Sequence, residues 1–329
     1  GRKLSMTTLT AQVDQYGDFV EISDILDLTA IDNNLQEATV LLGSQAGRTL
    51  DTITREVING GSNVQYGEGQ VTGRHLLVGG EATGNHYFTV RAVRKAVRFL
   101  KTMNAPRYEG SYWAIIHPDC SYDIQDDPDW KRPHEYKDTS NIYDDEIGKI
   151  AGVRFIETTE AKVFHADDLT EGARDLTVKS ASSKVLTVNE AITTADAAKL
   201  AGREVVIGGA LLEIESATAA GAGSATITLK EAPAATPTAS TTIYPGEAGA
   251  KGRNVYSTLI MGAEAYGTTE LTGGGLEHIV KPLGSAGTAD PLNQRATVGW
   301  KATKVAERLV EAYMIRVETT STFDETPLT

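Results

Sequence analysis

Cysteine is nearly missing from this chain of 329 residues, occurring once, at Cys120. One thiol cannot close an intramolecular disulfide, so a stapled secreted scaffold is excluded and assembly in a reducing cytosol is expected. Long apolar runs are missing too. No stretch of about 18 apolar residues is available to cross a bilayer and no signal peptide is evident, so neither membrane insertion nor secretion by that route is expected. His75, His86, His117, His134, His165 and His278 never fall at metal-ligand spacing such as H-E-x-x-H, and Cys120 has no cysteine partner. Neither a zinc site nor a cofactor is therefore expected. Positive charge is in deficit: 31 Lys and Arg against 44 Asp and Glu leave a formal net charge of -13. That excludes a surface devoted wholly to nucleic acid. It does not exclude enclosure of DNA, because a container that neutralised phosphates strongly would hinder packing and release.

Catalytic constellations are equally sparse. His117-Pro118-Asp119-Cys120 reads as a strand-ending turn with a buried thiol, since residues this close in sequence seldom aim at one another productively. Asp123, Asp126, Asp127 and Asp129 form an acidic loop that lacks the glycine and bidentate Glu of a calcium loop. A solvated segment bridged to Lys131 and Arg132 is the expectation. Gly273-Gly274-Gly275 is not followed by the Lys-Ser/Thr pair of a phosphate cradle. The chain is read as a non-enzyme.

What is present is periodicity. Thr7 to Val20, with Leu9, Ala11 and Val13 alternating with polar neighbours, reads as a half-buried strand that leads to Asp32, beyond which Asn33 to Gly60 reads as one helix roughly 40 Å long at about 1.5 Å per residue. Leu35, Ala38, Leu42, Ala46, Thr49, Ile53 and Val57 make its apolar stripe. Asp32 or Asn33 is the expected cap, and Gly43 and Gly47, four apart, are expected to let the helix pack closely on a strand. A second amphipathic helix is predicted over His86 to Asn104, with Val90, Val93, Val97 and Leu100 inward. Its outer face gathers Arg91, Arg94, Lys95, Arg98 and Lys101. Buried strands are predicted at Ser111 to His117, Ile150 to Thr158 and Tyr256 to Met261, with closing strands at Ala296 to Thr303 and Ala312 to Glu318. From about Ala166 to Gly249 the chain turns rich in Ala, Thr, Gly and Ser. Six short strands and a helix at Thr194 to Ala201 predict a small β-barrel or sandwich there, its ends close together.

The runs QYGDFVEISDILDLTAID, LLGSQAGRTLDTITREVI, IGKIAGVRFIETTEAKVF, VYSTLIMGAEAYG and KPLGSAGTADPLNQRATVGWKAT resemble the N4-gp56 family of tailed-phage major capsid proteins. The resemblance covers Thr7 to about Phe164 and Asn254 to about Val317. It implies an α+β, HK97-like capsid fold with a long spine helix, peripheral and axial domains, and an extended-loop strand. On that frame residues 1–32 are the returning strand of the extended loop and its joint, 33–110 the spine helix and peripheral domain, and 111–165 the first part of the axial domain. Residues 166–250 are an inserted small all-β domain projecting outward, 251–295 the second part of the axial domain, and 296–329 the closing peripheral strands and tail. A start at Gly1 is expected to reflect a processed or truncated product, since the family carries an N-terminal arm and a first loop strand before this point.

The implied function is a major capsid protein that self-assembles into hexamers and pentamers of an icosahedral shell around double-stranded DNA. The implied partners are scaffold, portal and decoration or minor capsid proteins, with assembly in the host bacterial cytoplasm and residence in the virion capsid. Tyr16, Asp18, Lys281, Asp290 and Arg295 are the candidate subunit contacts, the last three as intersubunit ion pairs. Gly267 to Gly275 is placed near the capsomer centre, and Lys281 to Arg295 as an extended contact loop. Arg91, Arg94, Lys95 and Arg98 are candidate genome-facing groups. Two other readings stay open. One is an encapsulin-like nanocompartment shell enclosing cargo enzymes. The other is a hydrolase or glycan-binding protein with an accessory β-domain, for which Tyr112, Trp113 and Trp130 supply the only hint.

Overall fold

The computed structural model describes residues 8–29, 34–79, 86–131, 148–269, 274–285 and 290–325. The expected cap at Asp32 or Asn33, Gly273 of the glycine triplet, and Arg132 lie outside these. In chain order the strands begin with β1 (Asp14–Ser23), β2 (Val64–Tyr66), β3 (Tyr112–Ile116), β4 (Lys149–Ile150), β5 (Val153–Glu157) and β6 (Val163–Phe164). They continue through β7 (Leu176–Ser182), β8 (Val185–Val188), β9 (Glu204–Ile207), β10 (Ala210–Thr218), β11 (Thr226–Leu229) and β12 (Thr242–Pro245). The last are β13 (Val255–Met261), β14 (Tyr266–Thr269), β15 (Glu277–Lys281), β16 (Arg295–Arg308) and β17 (Met314–Thr319). The helices are α1 (Asp24–Thr29), α2 (Asn34–Asn59), α3 (Val90–Thr102), α4 (Pro118–Asp126) and α5 (Thr194–Leu200).

The chain forms two compact units, one of Gly1–Ser62 with Ala263–Tyr313 and one of Asn63–Gly262 with Met314–Thr329. The smaller unit is organised by β16, whose 14 residues pair antiparallel with β1 on one side and with β15 and then β14 on the other. The 26-residue α2 lies against this ribbon, and Leu42 and Ala46 meet Val298, Trp300 and Ala302 in its core. Ala38, Leu42 and Ala46, all on the stripe read from the sequence, are buried. Gly43 and Gly47 depart from expectation. Both are exposed, and an added Cβ at either would meet nothing within 4 Å, so they face open space rather than a strand. The close approach is made instead by Gly17 and Gly299 between β1 and β16, where an added Cβ would lie 2.6 Å from the Trp300 carbonyl oxygen or 2.9 Å from that of Asp18.

The larger unit holds a seven-stranded sheet in the order β2-β17-β13-β3-β5-β4, with β6 added to β13. Central β13 is buried at every position. Helix α3 turns Ala92, Val93, Ala96, Val97 and Leu100 inward and packs on β17 and β13. Thr89 caps it by accepting from Ala92 N at 3.2 Å, and Asp127 Oδ2 accepts from Val90 N at 2.9 Å. These side chains satisfy amide hydrogens that a helix start leaves without partners. Between β6 and β13, strands β7 to β12 close into an antiparallel barrel in the order β10-β11-β8-β7-β12-β9. Its core is Leu176, Val178, Leu186, Val188, Val205, Ile207, Ile214, Ile227, Leu229 and Ile243, with Leu200 of α5 added. Helix α5 opens with a reciprocal capping box between Thr193 and Asp196 and is followed by Gly202 at φ 81°, a conformation that glycine adopts without strain.

Strand pairing groups the segments by contacts that sequence order does not show. Strand β17 pairs with β13 and β2, so it belongs with the larger sheet and not with β16. Ala263 to Tyr313, including the segment placed at the capsomer centre, sits in the unit of the long helix, because β16 draws β14 and β15 onto its free edge. The units divide at residue 62, whereas the sequence reading kept residues 33–110 together. The acidic stretch is also no loop at its start: Asp123 and Asp126 lie in α4, and Asp123 is buried, accepting from Thr322 Oγ1 at 2.6 Å.

Cys120 is fully buried, its Sγ 3.6 Å from Thr319 Oγ1, and burial pushes its thiol pKa well up. Only the thiolate reacts readily. Iodoacetamide at mildly alkaline pH is therefore expected to leave the native chain unlabelled by mass spectrometry, with one adduct appearing on unfolding. Rapid labelling of the native chain would contradict this packing.

Candidate functional site

Among the described residues no cleft gathers converging reactive groups, and the surfaces are the candidate features. In the smaller unit, most large apolar side chains along β1, α1 and the open side of α2 are exposed: Phe19, Val20, Ile25, Leu26, Val40 and Leu41. Leu276, Val280, Leu283 and Leu292 around β15 are exposed as well. Strand β1 is an edge strand with one face of hydrogen-bonding groups unpaired by any other described strand. An edge this long, bearing Phe19 and Val20, is an open template for pairing unless something covers it. The sequence held this signal in two places. Phe19 and Val20 are adjacent, so one must lie off the buried face, and Val40 and Leu41 fall off the stripe of α2.

The candidate contacts in this unit are partly occupied within their own chain. Tyr16 packs on the cluster of Leu42, Ala46 and Trp300. Asp18 accepts from Gln45 Nε2 at 2.6 Å and from Phe19 N at 2.8 Å, and chiefly the Gln45 bond holds its carboxyl pKa below the ordinary value. Together Tyr16 and Asp18 tie β1 to α2. Asp290 is buried and accepts the backbone N–H of Arg295 at 2.8 Å, which shapes the turn into β16. The Arg295 side chain lies 3.3 Å from Glu21 of β1. Lys281 ends β15 with its side chain exposed.

The larger unit presents a cationic face on α3. Arg91 Nε lies 3.3 Å from Glu68 Oε2, and Lys95 Nζ donates to the Glu68 carbonyl. Arg94, Arg98 and Lys101 are exposed and border a shallow depression of about 530 Å³ with Val97, Thr102 and Ala151. Near the barrel root, Glu318 is wholly buried between two arginines. Arg74 reaches it with Nε 2.7 Å from Oε2 and Nη2 2.8 Å from Oε1. Arg316 Nε stands 2.7 Å from Oε1, close enough for charge attraction though not aligned as a hydrogen bond. The Arg74 guanidinium also covers the Phe164 ring at 3.4 Å and donates to the Glu247 carbonyl, while Arg203 pairs with the Glu247 carboxylate at 2.6 Å.

The residues singled out for hydrolase or glycan chemistry do not converge among the described residues. His117 caps α4 by accepting from Asp119 N at 3.2 Å, while Cys120 is sealed in the core. Tyr112 and Trp130 are core residues, the latter edge-on to Phe155, and Trp113 is edge-on to Tyr108. They do not assemble a stacking platform.

Comparison with known proteins follows this geometry. A family model described as phage capsid protein matches residues 6–170. No curated protein matches the chain. Among solved structures, the chain is similar to the capsid of cyanophage P-SCSP1u at a TM-score of 0.53 and 11% identity, over 98% of this chain and 79% of that one. It is similar to the capsid asymmetric unit of cyanophage Pam1 at 0.53 and 13%, over 95% and 76%. The capsid of Ralstonia phage GP4 follows at 0.50 and 12%, over 97% and 75%. At these identities the likeness establishes the fold, which is that of HK97-like phage capsid proteins. The family model covers half of the chain, and the chain belongs to the phage capsid protein family.

Proposed function

We propose that this chain is the major capsid protein of a tailed phage of the N4-gp56 type, forming hexamers and pentamers of an icosahedral shell around double-stranded DNA. Its work is done by subunit contacts and not by catalysis. The observation that carries the reading is the concentration of exposed apolar side chains on β1, α1 and α2 of a chain in this family. A free subunit gains little from such a surface, whereas a closed shell buries it at about 25 cal/mol per Å². Scaffold, portal and decoration or minor capsid proteins are the proposed partners, and the host bacterial cytoplasm the proposed place of assembly. Residues 166–250 are proposed as a domain inserted in the axial domain, projecting from the outer surface.

Within this proposal Lys281 and the free side of Arg295 remain intersubunit candidates. Tyr16, Asp18 and Asp290 act indirectly, by fixing β1 and the turn before β16. The test is electron microscopy of the purified full-length protein, with and without its neighbouring virion proteins. Closed particles or capsomer rings are expected, with DNA inside native particles. A monodisperse monomer or dimer under all these conditions would reject the proposal, and enzyme cargo in place of DNA would select a nanocompartment shell.

A further inference from the structure

We infer that the Arg94, Arg98 and Lys101 face of α3 is a contact for the phosphodiester backbone of the enclosed duplex, an inference that rests on the capsid reading above. Helix α3 carries five cations and no acidic residue in a chain whose net charge is -13. Glu68 divides the five. It engages Arg91 with its carboxylate and Lys95 with its carbonyl, and is itself held by Thr89 Oγ1 at 2.9 Å. Arg94, Arg98 and Lys101, at spacings of four and three, share the next face, and their charged groups have no ion-pair partner among the described residues.

The face is rigid. Its helix is capped by Thr89 and Asp127 and buried along its opposite side. It is also wholly polar outward: each exposed residue from Arg91 to Thr102 is Arg, Lys or Thr, and Val97 at the floor of the depression is buried. Its exposed apolar neighbours are Met103, just past the helix, and Ala151 at the rim of the depression, so the face itself offers charge rather than the apolar core of a protein interface. A phosphate backbone needs only fixed cations. From Arg94 to Lys101 the helix rises about 10 Å, close to the axial rise of three phosphate-to-phosphate steps at about 3.4 Å each along one strand. Contacts to phosphate oxygens carry no sequence information directly, so a contact of this kind is independent of sequence. Each subunit supplies little attraction, and repetition over the shell supplies the rest without locking the genome in place.

The experiment measures binding of the purified full-length chain to a fluorescein-labelled duplex between 50 and 200 mM salt, with shell formation followed in parallel by electron microscopy. Replacing Arg94→Gln, Arg98→Gln and Lys101→Gln together is expected to flatten the slope of log K against log salt by about 2 to 3 units, near 0.9 per phosphate released. Shells should still form. Arg91→Gln with Lys95→Gln should change the slope by less than about 1. An unchanged slope in the triple variant, or no measurable binding by the wild-type chain at 50 mM salt, overturns the inference. So does loss of poly-glutamate binding with the DNA slope intact, which would assign the face to an acidic protein. Should the triple variant fail to fold, the single variants decide: about one unit lost in each supports the contact, and none lost overturns it. Absence of shells from the wild-type chain even with its neighbouring virion proteins supplied would reject the capsid reading itself, whereas shells with an unchanged slope reject only this contact.

Discussion

Replacing Glu318→Leu is expected to destabilise the larger unit by about 3–5 kcal/mol, because it leaves two guanidinium groups in the interior without their shared counter-charge. The Glu318 side chain is 0% exposed, and those of Arg74 and Arg316 are 25% and 12% exposed. Desolvation on this scale makes a buried ion pair a weak source of net stability, yet removing one member is costly because the others stay buried. The same reasoning predicts partial recovery. Arg74→Met and Arg316→Met added to Glu318→Leu should return much of the loss, since an apolar cluster over Phe164 needs no counter-charge. Glu318→Gln, which keeps the shape and accepts from Arg74, should fall between. Urea unfolding of unassembled subunits gives the three values directly. A loss below about 1 kcal/mol for Glu318→Leu would mean that water reaches the site. The consequence extends to the barrel, because Arg74 also donates to the Glu247 carbonyl and Arg203 grips the Glu247 carboxylate. Loosening Glu318 should raise hydrogen exchange near Glu247 before it affects the barrel core.

None of this triad was visible in the sequence, and the reason is general. Local patterns report local structure. The stripe Ala38, Leu42, Ala46 located the long helix within a residue or two, and alternating Val, Ile and Leu between Leu176 and Tyr244 located the six barrel strands. Pairing across the chain leaves no such mark. Arg74 meets Glu318 across 244 positions, and β17 joins β13 and β2 instead of its sequence neighbour β16. Proximity in sequence therefore does not reveal which sheet β14, β15 and β17 join. The candidate contacts show the same limit. Charge at Asp18, Asp290 and Arg295 was legible, but not that Gln45, a backbone amide and Glu21 of the same chain take up those groups. The cations of α3 were legible as a cluster, while their division by Glu68, outside the helix, was not.

Glycine supplies the sharpest contrast between expectation and structure, and substitutions at four positions should separate fold from assembly. Gly299→Val places a side chain 2.9 Å from the Asp18 carbonyl oxygen and 2.9 Å from Phe19 Cβ, where backbone cannot move without breaking the β1–β16 ladder. The expected cost is about 3 kcal/mol, at the upper end for overpacking, because the clash is with main chain and not with a pliable side-chain tip. Shell formation should be lost, since β1 and the apolar groups of α1 depend on that ladder, while the barrel and seven-stranded sheet keep their exchange protection. Gly17→Val, 2.6 Å from the Trp300 carbonyl oxygen, should behave alike. Gly43→Ala and Gly47→Ala should act in the opposite direction. Both positions are interior to α2 and open to solvent, so each should stabilise the free subunit by about 0.5–1 kcal/mol through lower unfolded-chain entropy. Urea unfolding reads the stability and negative-stain microscopy the shells. Normal shells from Gly299→Val would show that the ladder is dispensable. A more stable Gly43→Ala subunit that no longer assembles would show that the open side of α2 is covered in the shell, and that these glycines serve a neighbouring copy instead of their own fold.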